Sequence, residues 1–297
     1  MAALSQKKSC QQRMDEWKEF IWNPRTHEFM GRTGSSWALI LLFYVVFYGF
    51  LTALFSLTMW VMLQTIDDYV PTYQDRLANP GLMIRPKSDS LDIVFSSSDN
   101  ATWKTYVNKL DDFLPAYDDM NQTSKNENCP SGTYFEEKDK GNVQNHPKRA
   151  CQFKRSFLGR CSGLEDATYG YSEGKPCVLI KMNRVINFKP RPVPATNPFI
   201  TIDCTGKKDE DIQHLGDLQY FPNNGSNFGT IDLMYFPYYG YKVQANYTQP
   251  LVAVQFLNVT QNVDIYVECK VLAQNIKNDD DRDKFAGRVA FKLKVNS

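Results

Sequence analysis

Residues 37–63 read WALILLFYVVFYGFLTALFSLTMWVML, and no Asp, Glu, Lys, Arg or His occurs between Thr33 and Ile66. At about 1.5 Å per residue, a helix of this length runs roughly 40 Å, enough to cross a hydrocarbon core of about 30 Å with some tilt. Only a helix satisfies its own backbone groups in lipid, so a single span here is helical. Trp37 and Trp60 stand at its ends, where aromatic rings anchor at the headgroup level. A buried core helix rarely stays uncharged for so long, so the stretch reads as transmembrane.

A cleavable signal peptide has a shorter apolar core near the start and a small-residue cleavage site. Here the run begins at residue 37 and is followed by QTIDDYVP, so it reads as a signal anchor. Lys18, Arg25 and Arg32 precede it closely, against Arg76 alone over a similar distance after it. That asymmetry predicts a cytosolic N-terminus and an extracellular C-terminus. The sequons at Asn100, Asn121, Asn224, Asn246 and Asn258 all follow the span, as glycosylation on the far side requires. So do six of the seven cysteines, Cys129, Cys151, Cys161, Cys177, Cys204 and Cys269, leaving Cys10 on the other side. An even set in an oxidising compartment reads as three disulfides. The expectation is a type II membrane glycoprotein of the cell surface. Its parts are a cytosolic segment 1–36, the span 37–63, an extracellular stalk 64–86 and one domain 87–297.

The balance of 34 Lys+Arg against 33 Asp+Glu gives a nucleic-acid partner no electrostatic basis. About 230 residues follow the span, enough for one domain with its own core. In the cytosolic segment Met14, Trp17 and Ile21 recur at helical spacing, which suits a short amphipathic helix on the membrane or on a partner. Asn23-Pro24 ends it. After the span, Pro71, Pro80, Gly81 and Pro86 punctuate the chain and favour extended or loop structure. Ser98 or Asp99 then caps a helix whose Trp103, Tyr106, Val107, Leu110, Phe113 and Leu114 share a face, closed by Pro115.

Residues 121–174 are polar and turn-rich. Pairing Cys129 with Cys151 and Cys161 with Cys177 is the simplest of fifteen connectivities. From Pro176 the pattern turns to strands: Val178–Met182, Arg184–Phe188, and alternating apolar positions around Ile200, Val252, Val263–Cys269 and Val289–Val295. Period two implies half-buried antiparallel strands. Cys204 and Cys269 both fall on apolar faces, where a bridge would pin one sheet layer to another. The fold expected is one transmembrane helix plus a mainly-β ectodomain, an immunoglobulin-like antiparallel β-sandwich with an inserted helix and three disulfides.

No GxxxxGK[ST], HExxH, GxSxG, CxxC or dinucleotide fingerprint occurs. His27, His146 and His214 are scattered. The acidic run Asp279–Asp283 echoes metal-dependent glycosyltransferases, but an acidic turn before the last strand is the plainer reading. Within the span, Tyr44 and Tyr48 share a face, with Gly49 and Ala53 on an adjacent stripe. That small-xxx-small pair admits close approach of another helix. Outside, Tyr235, Phe236, Pro237, Tyr238, Tyr239 and Gly240 form an aromatic cluster suited either to core filling or to anchoring another protein.

The blocks EWKEFIWNPRTHEFMGRTGSSW, LLFYVVFYGFLTALF, YQDRLANPGLMIRP, CQFKRSFLGRCSG, GKPCVLIKMNRVINF, IDLMYFPYYG, YTQPLVAVQFLN and DDRDKFAGRVAFKL closely resemble the β subunits of Na,K-ATPase and H,K-ATPase. LTMWVMLQT and LMYFPYYG resemble the second and third Na,K-ATPase isoforms, while the opening MAALSQKKSCQQRM is also similar to the gastric H,K-ATPase chain. The resemblance implies a non-catalytic partner of a P-type pump at the plasma membrane, escorting and stabilising the catalytic α subunit and modulating K⁺ affinity and occlusion. It implies no cofactor in this chain, since Na⁺, K⁺, Mg²⁺ and ATP bind α, which carries the phosphorylated Asp of a DKTG motif absent here. It places Tyr44 and Tyr48 against α's membrane helices, and Tyr235–Gly240 against the extracellular loop between α's seventh and eighth spans. The disulfides it implies are Cys129–Cys151, Cys161–Cys177 and Cys204–Cys269. Membrane lipid and a small single-span regulatory subunit are further partners expected on this reading, and glycan-mediated cell adhesion is an alternative function.

Overall fold

The computed structural model describes residues 10–74, 79–88, 90–141, 145–280 and 282–297. Arg76 and Asp281 lie outside the described residues, as do residues 1–9. The chain divides into one unit up to Ile66 and a second from Asp67 to Ser297.

In the first unit, helix α1 (Cys10–Ile21) ends just before Asn23-Pro24. Three two-residue strands, β1 (Trp22–Asn23), β2 (Glu28–Phe29) and β3 (Arg32–Thr33), form an antiparallel ladder. Helix α2 (Gly34–Gln64) follows at once, its 31 residues containing the whole apolar run with no residue buried. The Trp37 indole N–H donates to the Phe29 carbonyl at 2.8 Å, tying the ladder to the first turn of α2.

The second unit holds two sheets. One has the order β4 (Leu82–Arg85), β6 (Cys177–Met182), β10 (Leu251–Phe256), β8 (Leu218–Phe221); the other is β5 (Asp92–Ser96), β12 (Arg288–Asn296), β11 (Ile265–Leu272), β7 (Phe199–Gly206), β9 (Gly229–Asp232). Every pairing is antiparallel except β5 with β12. Strands β11 and β12 alternate buried and exposed positions, as a sheet with one wet face requires. β10 is buried at every position, because both its faces are covered. Phe256 meets Phe291 of β12 on one side, and the turn Arg155–Ser162 packs against β8 and β10. The two sheets share one continuous core.

Helix α3 (Asn100–Phe113) is N-capped by Asp99, whose carboxylate accepts from Ala101 N–H at 2.9 Å. It buries Val107 and Leu110 and hands over to a 3₁₀ turn at Leu114–Tyr117. Two shorter helices, α4 (Asp119–Lys125) and α5 (Asp209–Leu215), complete the set among the described residues. The buried Gln122 of α4 joins four segments: its amide donates to Ala116 O and Thr248 Oγ1, and accepts from Phe153 N and Asn126 Nδ2.

The sequence reading differs from the structure in particular places. Arg184–Phe188, expected as a strand, keeps only an isolated bridge from Ile186 to Tyr238, because Asn187 turns left-handed (φ 59°) and breaks the ladder. Conversely, β4 lies in the proline-punctuated stretch. The bridge Cys204–Cys269 does not link two layers: the two residues face each other directly on β7 and β11 of one sheet. The layers are joined there by Tyr220 of β8, whose hydroxyl accepts from Cys204 N–H at 3.0 Å and donates to Cys204 C=O at 3.4 Å.

Gly170 has φ +77°, and a Cβ there would collide with the Lys175 carbonyl oxygen. Gly170→Ala is expected to destabilise the ectodomain by roughly 3 kcal/mol, from left-handed strain plus that collision. The check is urea unfolding followed by protease resistance; an unchanged midpoint would refute it.

Candidate functional site

Two surfaces stand out. The first is a face of α2. Tyr44 and Tyr48 stack with ring centroids 5.8 Å apart, Phe43 and Phe47 stack at 5.9 Å, and edge contacts at 5.5 Å join the two pairs. This four-ring ladder is exposed, and neither tyrosine hydroxyl finds a hydrogen-bond partner among the described residues. In lipid such groups need a partner from elsewhere. Beside them, a Cβ added at Gly49 meets nothing within 4 Å, so packing within this chain does not require a glycine there. Ala53 continues the same stripe one turn on and is exposed.

The second is in the ectodomain. Tyr235, Phe236, Pro237, Tyr238 and Gly240 are buried and Tyr239 is half-buried, so this aromatic cluster fills the interior. Tyr235 O–H donates to Gln152 O at 3.1 Å, and its ring packs edge-on against Phe153 at 5.5 Å. Tyr238 packs on Tyr247 at 4.7 Å. Burial pushes the Tyr235 and Tyr238 phenols up.

The segment reaches the surface chiefly through Tyr239, on the wall of an open recess of about 340 Å³ lined also by Tyr69, Asp67, Glu137, Asp139, His146 and Lys148. The nearly buried Lys148 ammonium donates to Asp139 Oδ1 at 2.8 Å and Glu137 O at 2.9 Å, and lies 4.9 Å from the Tyr239 ring centre. That bond holds the Asp139 carboxyl below its ordinary range. Backbone N–H donation from Val70 and Tyr69 does the same for Asp67. His146 stacks on Tyr69 at 5.1 Å. Residues from 67–70, 137–148 and 239–243 meet here only through long loops, so no local spacing marks the recess in the sequence.

Disulfides join Cys129 to Cys151, Cys161 to Cys177 and Cys204 to Cys269, and Cys10 is free and exposed. Asn100, Asn121, Asn224, Asn246 and Asn258 are all exposed. No group of three His, Cys, Asp or Glu that could hold a metal occurs among the described residues, which include His27, His146 and His214. Asp280 and Asp283 accept from the backbone N–H groups of Arg282 and Phe285, as in a turn leading to β12.

Among the described residues, one helix is long and apolar enough to cross a membrane, and with the disulfide-stapled β ectodomain it fits a single-pass membrane protein whose outstanding features are surfaces. A family model described as sodium/potassium ATPase beta chain matches residues 7–291. The chain is 61% identical over 297 residues to human sodium/potassium-transporting ATPase subunit beta-2, covering 100% of this chain and 99% of that one. It is 60% identical over 299 residues to the same subunit of Rhinella marina, with equal coverage. It is 45% identical over 300 residues to the rabbit potassium-transporting ATPase subunit beta, at 99% of both chains. The chain belongs to the sodium/potassium ATPase beta chain family.

Proposed function

We propose that this chain is the non-catalytic β subunit of a Na⁺/K⁺-transporting P-type ATPase. In this role it assembles with the catalytic α subunit, supports its folding, stability and delivery to the plasma membrane, and adjusts K⁺ affinity and occlusion. Nucleotide, Mg²⁺ and the transported ions bind α. The N-terminus lies in the cytosol and the sandwich outside. The observation that carries the reading is the uncovered face of α2, where Tyr44 and Tyr48 hydroxyls lack partners beside a glycine that this chain does not need. The recess walled by Tyr239 suits an extracellular loop of α, and the buried Tyr235–Tyr238 anchor the segment that carries Tyr239.

Such a subunit shifts K⁺ affinity only if its contacts with α differ in free energy between α's outward and inward states. Tyr44→Ala/Tyr48→Ala together with Gly49→Ile is expected to leave membrane insertion intact and cut co-purification with α about tenfold. Leu substitutions on the opposite face of α2 serve as the control. The measurement is a mild-detergent pull-down of the tagged chain, scored for a large P-type ATPase and followed by K⁺ activation of the pump. Unchanged assembly and unchanged K⁺ activation would sink the assignment of this face.

Five exposed sequon asparagines also favour a second reading, adhesion through glycans on the sandwich. Aggregation of beads coated with the full chain, without α, would support it.

A further inference from the structure

The first unit carries a second apolar surface, outside the membrane-spanning run. On α1, Cys10, Met14, Trp17 and Ile21 follow one another at i, i+4, i+7 and i+11, a stripe within an arc of about 60° on a helix of 3.6 residues per turn. None is covered: Trp17 is 67% exposed, Met14 55% and Ile21 43%. Arg13 and Lys18 flank the stripe, each about 70° from its centre, while Asp15, Glu16 and Glu19 all lie more than about 120° away. Cations border the apolar strip on both sides and the carboxylates occupy the opposite face.

This foot is joined to the span without a linker. Met30 N–H donates to Ile21 O at 3.1 Å, closing the ladder back onto the end of α1. Trp37 N–H holds Phe29 O, and β3 ends at Thr33, one residue before α2 begins. The exposed Trp22, Phe29 and Met30 extend the apolar surface from α1 to α2, and Arg25 and Arg32 add positive charge beside them.

We propose that α1 and the β1–β3 ladder form an interfacial foot that lies on anionic phospholipid headgroups at the N-terminal end of α2. The proposal rests on α2 being embedded in the bilayer. Apolar side chains enter the headgroup boundary, and flanking Arg and Lys reach phosphate and carboxylate groups while their stems stay in the apolar layer. The carboxylates then face water. A protein groove has no need of cations along both borders of the strip, whereas an anionic bilayer surface attracts both.

Cys10 supplies the reporter: it is the one cysteine outside the three disulfides and it lies on the stripe. The full chain, labelled there with bimane, is reconstituted into phosphatidylcholine vesicles with or without phosphatidylserine. Quenching is read from brominated lipid and from aqueous iodide. With phosphatidylserine, brominated lipid is expected to quench strongly and iodide weakly. Arg13→Gln/Lys18→Gln lowers the bound-to-free ratio of the foot roughly thirtyfold, from the lost surface attraction of two basic residues. Trp17→Glu releases the foot in the same assay. In both variants α2 stays resistant to alkaline extraction, which separates loss of the foot from loss of insertion. Equal iodide quenching in neutral and anionic vesicles would overturn the proposal. So would shielding that arises only when a pump α subunit is co-reconstituted, since the stripe would then belong to a protein contact.

Discussion

Replacing Cys204 and Cys269 together by alanine is expected to destabilise the ectodomain by about 4 kcal/mol, the largest effect among the three bridges. The reason is chain entropy. Cys204 and Cys269 are 65 residues apart, against 22 for Cys129–Cys151 and 16 for Cys161–Cys177, and the unfolded chain gains most freedom when the longest loop is opened. The logarithm compresses the differences, so removal of each shorter bridge is expected to cost about 3 kcal/mol. Against a domain stability of roughly 5–15 kcal/mol, any one of them is a large fraction. Both sulfurs are buried between β7 and β11, so alanine is preferred to serine, which would bury an unpartnered hydroxyl. The readout is protease resistance of the full chain across a urea series. Cys10→Ala, at an exposed free thiol, should leave the midpoint unmoved. If the double replacement also left it unmoved, the bridge would be dispensable to the sandwich.

Phe153→Ala is expected to cost a similar amount, about 4 kcal/mol, through the cavity left behind. Phe153 is 2% exposed and meets Tyr117, Phe157 and Tyr235 at 5.5–5.9 Å in edge-to-face contacts. Its backbone N–H also donates to Gln122 Oε1 at 3.0 Å. The ring therefore lies where the Leu114–Tyr117 turn, α4 and the segment leading to Tyr239 converge. Emptying it removes support from the Tyr235 ring, in the buried segment that leads to Tyr239. Phe153→Leu, which keeps most of the volume, should lose only about 1 kcal/mol. Urea unfolding ranks the two, and equal midpoints would mean that the packing around Phe153 is not part of the cooperative core. Partner recovery should follow the same order.

How far the chain could be read in advance depended on how locally each element is specified. α2 is encoded by an unbroken run without charge, which has few structural alternatives. α3 carries its start signal at Asp99 and its stripe at Val107 and Leu110. β7, β11 and β12 present one wet face, so their alternation is visible residue by residue. β10 lacks that alternation, being covered on both sides, and was recognisable only as an apolar run. β4 is four residues between Gly81 and Pro86, too short to outweigh its flanking breakers. The aromatic segment 235–240 was open to two readings, since rings that fill a core and rings that anchor a partner look alike in composition. Its burial follows from contacts with Phe153 and Tyr247, far away in sequence. The recess beside Tyr239 is likewise a product of tertiary folding.

The place of β12 in its sheet bears on the timing of synthesis. β12 lies between β5 and β11, with Lys292–Asn296 alongside Asp92–Ser96 and Ile265–Lys270 facing Arg288–Leu293. Roughly 200 residues separate β5 from the strand that pairs with it. At about 5–20 residues per second, β5 waits roughly 10–40 s during translation for its neighbour to emerge. Throughout that interval β5 lacks the one strand it pairs with, and β11, made shortly before β12, presents an unpaired edge only at its end, each a template for pairing with the wrong chain. The five-stranded sheet is thus completed by the latest of its strands to be made, which turns a finished ectodomain into a readable sign that translation has passed residue 296.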